Sequence, residues 1–356
     1  MRRIFCLILL IVFSWLAAEQ LTDGPYFAIE EQGVLLQYVE DGEVISQNYT
    51  WPQNGELSIA IADLGGSYKI YRQAPEIAAD QYDQVEQIFA IADIHGQNER
   101  FVDILAGQQV IDAEQNWNFS SGHLVIVGDV FDRGDQVTEA LWLIKKLSDQ
   151  AEEHGGKVHY LLGNHEVAVL RGDDRYVNDK YLQVAQKLGV EHRELYSNET
   201  ILGRWIRSRN ACVKINDILF VHGGISPQLL ERGYRPLALN AKVREIFTDS
   251  ASQPKDSEES RFILGSFGPF WYRGYLTSGS KYRQLRQAEA EQVLTELKIS
   301  NLVVGHTTQS FINPFFGSRI IPIDAGIKYA DQGEGLLWQA GKFYRALADG
   351  YREELQ

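Results

Sequence analysis

The chain has 356 residues, of which 44% are hydrophobic and 23% charged, and these values exclude a collagen-like, coiled-coil or wholly disordered protein. The formal net charge is −14, from 34 basic and 48 acidic residues, whereas nucleic-acid binders need a basic surface, so we expect no nucleic-acid partner. An anionic substrate is still compatible with this charge, because a bound metal ion or a local arginine reverses the field inside a cleft.

The first residues of the chain have the three-part pattern of a secretory signal. Arg2 and Arg3 precede an apolar run over residues 4–16, and the small residues Ala17 and Ala18 follow it. The alternative is an uncleaved anchor, but the run is shorter than the roughly 20 residues that a spanning helix needs. We therefore predict a signal peptide at residues 1–18, export to the periplasm or the medium, and no stable membrane insertion after cleavage.

Cysteine usage adds one constraint on the mature chain. Cys6 lies in the predicted signal and Cys212 is the other cysteine, so cleavage leaves no partner for an internal disulfide. Cys212 opens a predicted strand, which favours a buried structural thiol over the alternative, a nucleophile.

A small β-rich extension is predicted over residues 19–85. Short apolar segments alternate there with turn residues, and the pair Asp41-Gly42 is a strong hairpin signal. The predicted strands cover residues 26–30, 34–39, 44–49 and 57–61.

Residues 86–345 are predicted to form the catalytic domain, with residues 346–356 as a C-terminal tail. Apolar runs of strand length alternate with amphipathic stretches at 137–147 and 288–297, which indicates a layered α/β domain. A charge-rich helical insertion is predicted at 170–210, where it would cap the active site, and a mobile loop at 250–259. The predicted strands cover residues 88–92, 124–127, 158–162, 218–221, 302–304 and 319–323.

Five of these strands end in polar motifs that contain Asp, Asn or His. The motifs are Asp93-Ile-His95-Gly, Gly-Asp129-Val-Phe-Asp132-Arg133-Gly, Gly-Asn164-His165-Glu, His222-Gly-Gly and Gly-His306-Thr. In an α/β sheet the carboxyl ends of the strands form the crevice in which ligands bind, so these side chains are expected to converge. Oxygen and imidazole ligands without thiolates suit Mn, Fe or Zn.

A single histidine after a strand is more often structural than a metal ligand. Here, however, four of the eight histidines fall at the predicted strand ends, which favours a metal site over coincidence. The other four are interpreted as structural or surface residues: His123, His154, His159 and His192.

Together these motifs resemble the calcineurin-like metallophosphoesterases and, within them, the phosphoprotein phosphatase family. The segments Gly-Pro269-Phe-Trp271-Tyr-Arg273-Gly and Val-Val-Gly-His306-Thr narrow the resemblance to the bacterial Shewanella-like protein (tyrosine) phosphatases. One departure is Ala92, where the family usually has glycine. The resemblance implies an α/β four-layer sandwich, in which helices flank two central β-sheets.

The resemblance also implies the ligands of two divalent or trivalent metal ions, to be drawn from Mn, Fe and Zn. Asp129 would bridge the two ions, and a hydroxide between them would attack the phosphomonoester directly. The first ion would be held by Asp93, His95 and Asp129, and the second by Asn164, His222 and His306.

The remaining roles concern the phosphate and the leaving group. Arg133 and Arg273 are expected to bind phosphate oxygens, with Asn164 also contacting the substrate. His165 follows a ligand directly and is interpreted as the general acid, oriented and kept protonated by Asp132. The alternative for Asp132-Arg133 is a local ion pair in a turn. Glu166 is expected to support the site or a helix N-terminus, and Asp324 to shape a turn.

The predicted function is hydrolysis of phosphomonoesters, with phosphotyrosine in proteins or peptides as the first choice of substrate. A serine/threonine phosphatase and a nonspecific phosphomonoesterase are alternatives. Phosphodiesterases of the superfamily usually carry Gly-His-x-His, whereas this chain has Thr308 at the last position. A dinucleoside polyphosphate hydrolase shares most motifs but acts in the cytoplasm. The alternative of another class is a non-catalytic metal-binding module.

Overall fold

The computed structural model of the protein describes residues 21–248 and 257–356. The predicted signal peptide at 1–18 lies outside the described residues, as does most of the predicted loop at 250–259. The described end of that loop forms a helix, Glu258–Ile263, whose first turn is capped by the Ser257 side chain.

Strands and helices alternate along most of the described chain. The strands are β1 (Asp23–Ile29), β2 (Gly33–Glu40), β3 (Glu43–Thr50), β4 (Glu56–Ile61), β5 (Gly66–Tyr71), β6 (Gln81–Tyr82), β7 (Gln87–Ile91), β8 (His123–Ile126), β9 (Lys157–Tyr160), β10 (Cys212–Ile215), β11 (Ile218–Val221), β12 (Asn301–Val304), β13 (Ile320–Pro322), β14 (Gly335–Gln339), β15 (Lys342–Ala346) and β16 (Arg352–Glu354). The helices are α1 (Asn98–Gly107), α2 (Val137–Glu153), α3 (Asn164–Leu170), α4 (Asp179–Leu188), α5 (Ile201–Arg207), α6 (Pro227–Glu231), α7 (Pro236–Thr248), α8 (Glu258–Ile263) and α9 (Gln287–Leu297).

Residues 21–74 and 177–204 form one compact unit. Its strands β1, β2 and β3 make an antiparallel sheet and β4 pairs with β5, so the predicted β-rich extension is confirmed. Asp41 and Gly42 connect β2 to β3 with φ angles of 48° and 80°, the left-handed values of a tight hairpin turn.

The helical segment of this unit is tied to its sheet by polar contacts. The Lys180 ammonium lies 2.9 Å from the Asp23 carboxylate, and the Ile29 amide donates to the Glu199 carbonyl. Helix α4 begins after Asn178, whose side chain accepts from the Lys180 amide, and ends at the left-handed Gly189. The predicted domain limits and the capping role of the insertion stay predictions.

Residues 75–176 and 205–356 form the other unit, which contains two mixed sheets. One has the order β16-β15-β14-β7-β8-β9 and the other the order β13-β12-β11-β10-β6. Buried side chains from both sheets form one core, which includes Ile88, Val125, Phe220, Val303 and Leu336. Two sheets that share a core form the centre of a sandwich.

Helices cover the outer faces of these sheets. Helix α2 packs against β9, and α7 packs against β10. In α2, buried apolar residues recur at intervals of three or four, the spacing of one helix face: Val137, Ala140, Leu141, Ile144 and Leu147. The predicted sandwich of two central sheets flanked by helices is thus confirmed.

The sheet order decides which strand ends lie together. Strands β7, β8 and β9 are parallel neighbours in one sheet, and β11 and β12 are parallel neighbours in the other. Each of these five strands is followed by one of the predicted polar motifs. The motifs therefore emerge at the carboxyl ends of adjacent strands.

Three further features bear on the predictions. Within the described ranges, no helix is both long and apolar enough to cross a bilayer. The Cys212 thiol is fully buried, and burial raises its pKa well above the ordinary value, as expected for a structural thiol. The predicted tail at 346–356 contributes β16, which pairs with β15 at the edge of the larger sheet.

Candidate metal centre

A cavity of about 240 Å³ lies where the polar motifs meet. Eight of the ten predicted site residues line it: Asp93, His95, Asp129, Arg133, Asn164, His165, Arg273 and His306. The other two, Asp132 and His222, are buried and contact lining residues from behind. The structure therefore brings all ten together, although they are spread over more than 200 positions of the sequence.

Asp129 lies at the centre of the potential metal ligands. Its Oδ2 atom is 3.2 Å from His222 Nε2, 3.7 Å from His95 Nε2 and 3.8 Å from His165 Nε2. Two groups of mutually close donor atoms share this carboxylate, one with His95 and His165 and the other with His222 and His306. Asp129 is thus the one residue common to both groups.

Backbone carbonyls orient two of the imidazoles. His95 Nδ1 lies 2.8 Å from the Phe131 carbonyl, and His222 Nδ1 lies 2.8 Å from the Val127 carbonyl. A carbonyl only accepts, so each Nδ1 carries a proton and each Nε2 is directed at the centre, towards Asp129. His222 Nε2 also lies 3.0 Å from the amide oxygen of Asn164.

The donor set fits bound cations. His306 Nε2 is buried and has no hydrogen-bond partner among the described residues, although an imidazole nitrogen in the interior is normally paired. Asp93 is equally buried: burial raises the pKa of its carboxyl, and the nearby Asp324 carboxylate raises it further. Buried carboxylates placed so close together require a compensating positive charge.

The Asp129 carboxylate attracts this compensating positive charge. Burial alone would lower the pKa of His222, but Asp129 beside it raises the value to about 10. The same imidazoles keep the pKa of Asp129 well below its usual range against the effect of burial. The Asp129 carboxylate is thus the most strongly ionised group of the centre.

His165 differs from the other imidazoles in its partner. Its Nδ1 lies 2.5 Å from an Asp132 carboxylate oxygen, whereas those of His95 and His222 face neutral carbonyls. Burial lowers the pKa of His165, but Asp129 and Asp132 together raise it above the ordinary value. The pKa of His165 is therefore raised although burial opposes it, and its Nε2 atom lies about as far from Asp129 as the His95 nitrogen does, at 3.8 against 3.7 Å.

Residues 87–310 match the calcineurin-like phosphoesterase family, and this segment spans more than half of the chain. The chain belongs to this family. A protein of Schizosaccharomyces pombe is 32% identical over 259 residues, which cover 69% of this chain and 75% of that one. The Shewanella-like protein phosphatase 2 of Arabidopsis thaliana is 26% identical over 307 residues, covering 71% and 74%.

Among solved structures, this phosphoesterase is similar to the cold-active protein-tyrosine phosphatase of a psychrophilic Shewanella species. The two superpose with a TM-score of 0.85 and 34% identity, over 94% of this chain and 99% of that one. These matches confirm the predicted enzyme class, a metal-dependent phosphatase. The family and the His/Asp clusters together indicate a divalent metal site.

The backbone of this phosphoesterase is strained at the centre. Non-glycine residues rarely adopt positive φ, and such strain is concentrated at functional sites. Six of the ten predicted site residues have φ between 50° and 70°: Asp93, His95, Asp129, Asp132, Arg133 and His306.

Two glycines of the motifs make room for the carboxylates. A Cβ atom on Gly163 would lie 2.2 Å from Asp129 Oδ1, and one on Gly305 would lie 2.5 Å from Asp93 Oδ2. Any side chain at these positions would push the carboxylate away. The glycines are thus required by close approach of the metal ligands to the backbone.

Glu166 organises the loop that follows β8. Its buried carboxylate accepts hydrogen bonds from the backbone amides of Asp129, Val130 and Gly163, at 2.6–2.9 Å. The Tyr160 hydroxyl donates a further bond to it. The predicted supporting role of Glu166 is therefore specific: it fixes the backbone that carries Asp129 and begins helix α3.

The cavity also contains residues that the sequence did not single out. Lys328 is half-buried in its wall, and its ammonium donates to the Thr308 hydroxyl at 2.5 Å. Thr308 in turn donates to Asp324, which shapes the following turn by accepting from the Gly326 amide. In the sequence, the motif Asp324-Ala-Gly indicated a turn in this segment. It did not indicate that the Lys328 side chain lies in the cavity wall.

Aromatic residues of the cavity divide into two kinds. Phe270 and Tyr272 are buried in the core, whereas Trp271 between them lines the cavity and lies edge-on to the His306 ring. Tyr176, which is 41% exposed, lines the cavity beside His165. Its carbonyl accepts from the Arg133 amide, and the Arg133 guanidinium lies over its ring.

Proposed function

We propose that this phosphatase hydrolyses phosphomonoesters through two metal ions, and that its substrate is phosphotyrosine in proteins or peptides. The observation that carries the proposal is one cavity in which two donor groups share Asp129 while cations and aromatic rings line the walls. The first ion is assigned to Asp93, His95 and Asp129, and the second to Asp129, Asn164, His222 and His306. When bound, ions drawn from Mn, Fe and Zn would lower the pKa of water and polarise the phosphoryl group.

Three cationic side chains can hold the phosphate dianion beside the assigned metal ligands. Arg133, Arg273 and Lys328 all line the cavity, so the site is locally basic in an acidic chain. Guanidinium groups bind phosphate oxygens in a bidentate manner, whereas an ammonium acts as a point charge. We assign Arg133 and Arg273 to the phosphate oxygens and Lys328 to electrostatic support.

His165 can supply the proton that the leaving oxygen requires. Its protonated form is stabilised by the Asp132 carboxylate, and its Nε2 atom faces the centre, 3.8 Å from Asp129. A protonated imidazole at this position donates to the alkoxide or phenoxide as the ester bond breaks. Asp132 positions the ring and maintains its charge.

Two rings support an aromatic substrate. Tyr176 and Trp271 both line the cavity, and phenolic rings pack well against aromatic side chains. The similar Shewanella enzyme is described as a protein-tyrosine phosphatase. Thr308, where the diesterase branch usually has a second histidine, bonds to Asp324 and Lys328 instead, which favours a monoester.

The test is a steady-state assay of metal-stripped protein reconstituted with Mn, Fe or Zn. The substrates are para-nitrophenyl phosphate, its bis-ester, a phosphotyrosine peptide and the same peptide with phosphoserine. We expect metal-dependent release from the monoesters, little from the bis-ester, and a higher kcat/KM for phosphotyrosine than for phosphoserine. Preferential cleavage of the bis-ester would contradict a monoesterase, and a preference for phosphoserine would contradict the assigned substrate.

We also propose that the enzyme acts outside the cytoplasm, and only the residue pattern of positions 1–18 supports this. Fractionation of expressing cells and N-terminal sequencing provide the test. The expected mature protein is periplasmic or secreted and begins at Glu19. Retention of Met1 in the cytoplasmic fraction would overturn the assignment.

A further inference from the structure

A second cavity adjoins the metal cavity. It has a volume of about 400 Å³, and Asn164 and Trp271 line both cavities. The two cavities are therefore neighbours, and a peptide whose phosphate reaches the centre can place its flanking residues in the second cavity.

The floor of this second cavity is apolar. Val167 and Ala168, from helix α3, and Leu264, which follows α8, line it and are at least nine-tenths buried. Gly265 and Ser266 complete one side with little side-chain bulk. A floor of this kind accommodates the backbone and small apolar side chains of an extended peptide.

The rim carries a net positive charge. Arg171, Asp173 and Arg175 all line the cavity. The Arg175 guanidinium makes two contacts with the Asp173 carboxylate, at 2.6 and 2.7 Å, so these two charges compensate each other. Arg171 is exposed and makes no ion pair within the described part of the chain, although its charge also acts on the Asp173 carboxylate, so the three side chains carry one net positive charge.

We propose that this second cavity binds the residues flanking the phosphorylated residue of a peptide substrate, and that Arg171 selects for an acidic side chain among them. The inference rests on the proposed phosphopeptide substrate and adds the sequence that the enzyme prefers. The occupant is the substrate itself, since the cavity adjoins the metal centre through Asn164 and Trp271 and its rim has a net positive charge.

The distance from the centre to Arg171 indicates where the acidic residue lies. Asn164 is the first residue of α3 and Arg171 directly follows its last, so the helix separates them by about 10 Å at roughly 1.5 Å per residue. An extended peptide advances about 3.4 Å per residue. The preferred acidic residue is therefore about three positions from the phosphorylated residue, on one side of it.

The experiment scans an alanine-based phosphotyrosine peptide with single Asp substitutions at each of four positions on either side. For every enzyme the readout is kcat/KM of each Asp peptide divided by kcat/KM of the parent alanine peptide. In the wild type we expect a ratio of about two to five near the third position on one side. This factor corresponds to the free energy that a solvent-exposed ion pair contributes. Raising the ionic strength should bring this ratio towards one.

Arg171→Gln should abolish the preference, and Arg171→Lys should retain it because the charge remains. The matched control is the double variant Asp173→Asn, Arg175→Gln: it removes both members of the neighbouring ion pair and leaves the Arg171 charge in place, so the variant should keep the preference. An unchanged Asp ratio in Arg171→Gln would overturn the assignment. If that variant has no measurable activity, a wild-type ratio that does not respond to salt overturns it instead.

The outcomes separate the two proposals. If the wild type hydrolyses the parent peptide but shows no Asp preference at any position, the role of Arg171 is wrong and the proposed function stands. If it hydrolyses para-nitrophenyl phosphate and none of the peptides, the peptide substrate itself is wrong, and the role of Arg171 with it.

Discussion

Strands β8 and β9 carry a pair of buried histidines within the sheet and predicted metal-site residues beyond their carboxyl ends. His123 begins β8 and His159 lies in β9, whereas Asp129 and Asn164 follow the carboxyl ends of the same two strands. The two regions share one sheet and similar burial. They differ in which groups surround the imidazoles.

Within the strands, the two imidazoles satisfy each other. His159 Nε2 lies 2.9 Å from His123 Nδ1, and the Tyr82 ring packs edge-on against both. Burial lowers the pKa of His123 to about 4 and also lowers that of His159 well below its ordinary value, with Lys157 adding to both effects. Both rings are therefore neutral at physiological pH.

At the carboxyl ends, carboxylates replace the neutral partners. His222 and His165 have raised pKa values beside Asp129 and Asp132, and His306 presents an unpaired nitrogen to the cavity. Burial alone therefore does not turn a histidine into a ligand or an acid. The neighbouring charges and the direction of the free nitrogen decide whether a buried histidine acts as a ligand or as an acid. Five predictions test this difference between the two regions.

The largest effect is expected from Asp129→Asn. The amide keeps the size of the side chain but removes the charge common to both donor groups, so metal content and activity should fall together, with turnover near background. Metal analysis of the purified variant and kcat on para-nitrophenyl phosphate measure this. Full occupancy of both sites in the variant would show that Asp129 is not central.

His165→Gln should separate chemistry from metal binding. Metal stoichiometry should stay at the wild-type value while kcat falls by roughly 10²–10⁴, because the variant has no proton donor for the leaving oxygen. The fall should be smaller for para-nitrophenyl phosphate than for phenyl phosphate, since nitrophenolate needs less protonation. Equal losses with both substrates would contradict proton donation by His165, and loss of one metal ion would identify it as a ligand.

Gly163→Ala tests the close approach of the Asp129 carboxylate. The backbone at Gly163 has φ −107°, which alanine tolerates, so the expected effect arises from the collision of the new Cβ with Asp129. We expect metal affinity or activity to drop by about 10- to 100-fold, as for other residues that support metal ligands. Gly305→Ala should act similarly through Asp93. Wild-type metal affinity in both variants would contradict this account.

In the histidine pair within the strands, His159→Leu should leave catalysis unchanged. It removes the partner of the His123 nitrogen, so the free energy of unfolding should decrease by about 1–3 kcal/mol. Urea unfolding and kcat of the metal-loaded protein measure the two quantities. A large fall in kcat without loss of stability would mean that the histidine pair is coupled to the metal centre.

The smallest expected effect concerns acid stability. The pKa of His123 is about 4 in the folded chain and 6.5 ordinarily, so the unfolded chain binds more protons between these values. The free energy of unfolding therefore falls as the pH drops from 6.5 to 4. The double variant His123→Leu, His159→Leu should show a shallower fall in this window. An identical slope would mean that the pair does not titrate there.

The five strands that lead to the site were predictable, with limits within two residues, because each is a short apolar run closed by glycine or by a polar motif. Strands β14, β15 and β16 were not singled out. They are short, and much of β15 and β16 is polar or exposed, so their pairing at the sheet edge leaves little mark on composition. All ten predicted site residues lie together, since parallel strands bring their carboxyl ends to one edge. Their individual roles stay predictions.

The features that were predictable from the sequence depend on residues close to one another in the chain. These features are the ends of the strands and the motifs that follow them, and the motifs in turn indicated the family and the metal-site chemistry. Contacts between distant residues decided the rest. The Val127 carbonyl binds His222 Nδ1, so that Nε2 is the nitrogen that faces the centre. The Lys328 side chain is held at the cavity by its hydrogen bond to Thr308, 20 positions away in the sequence. Whether an imidazole is neutral like His123 or charged like His165 depends on such contacts, because the pKa responds to burial and to charges that only the folded chain places nearby.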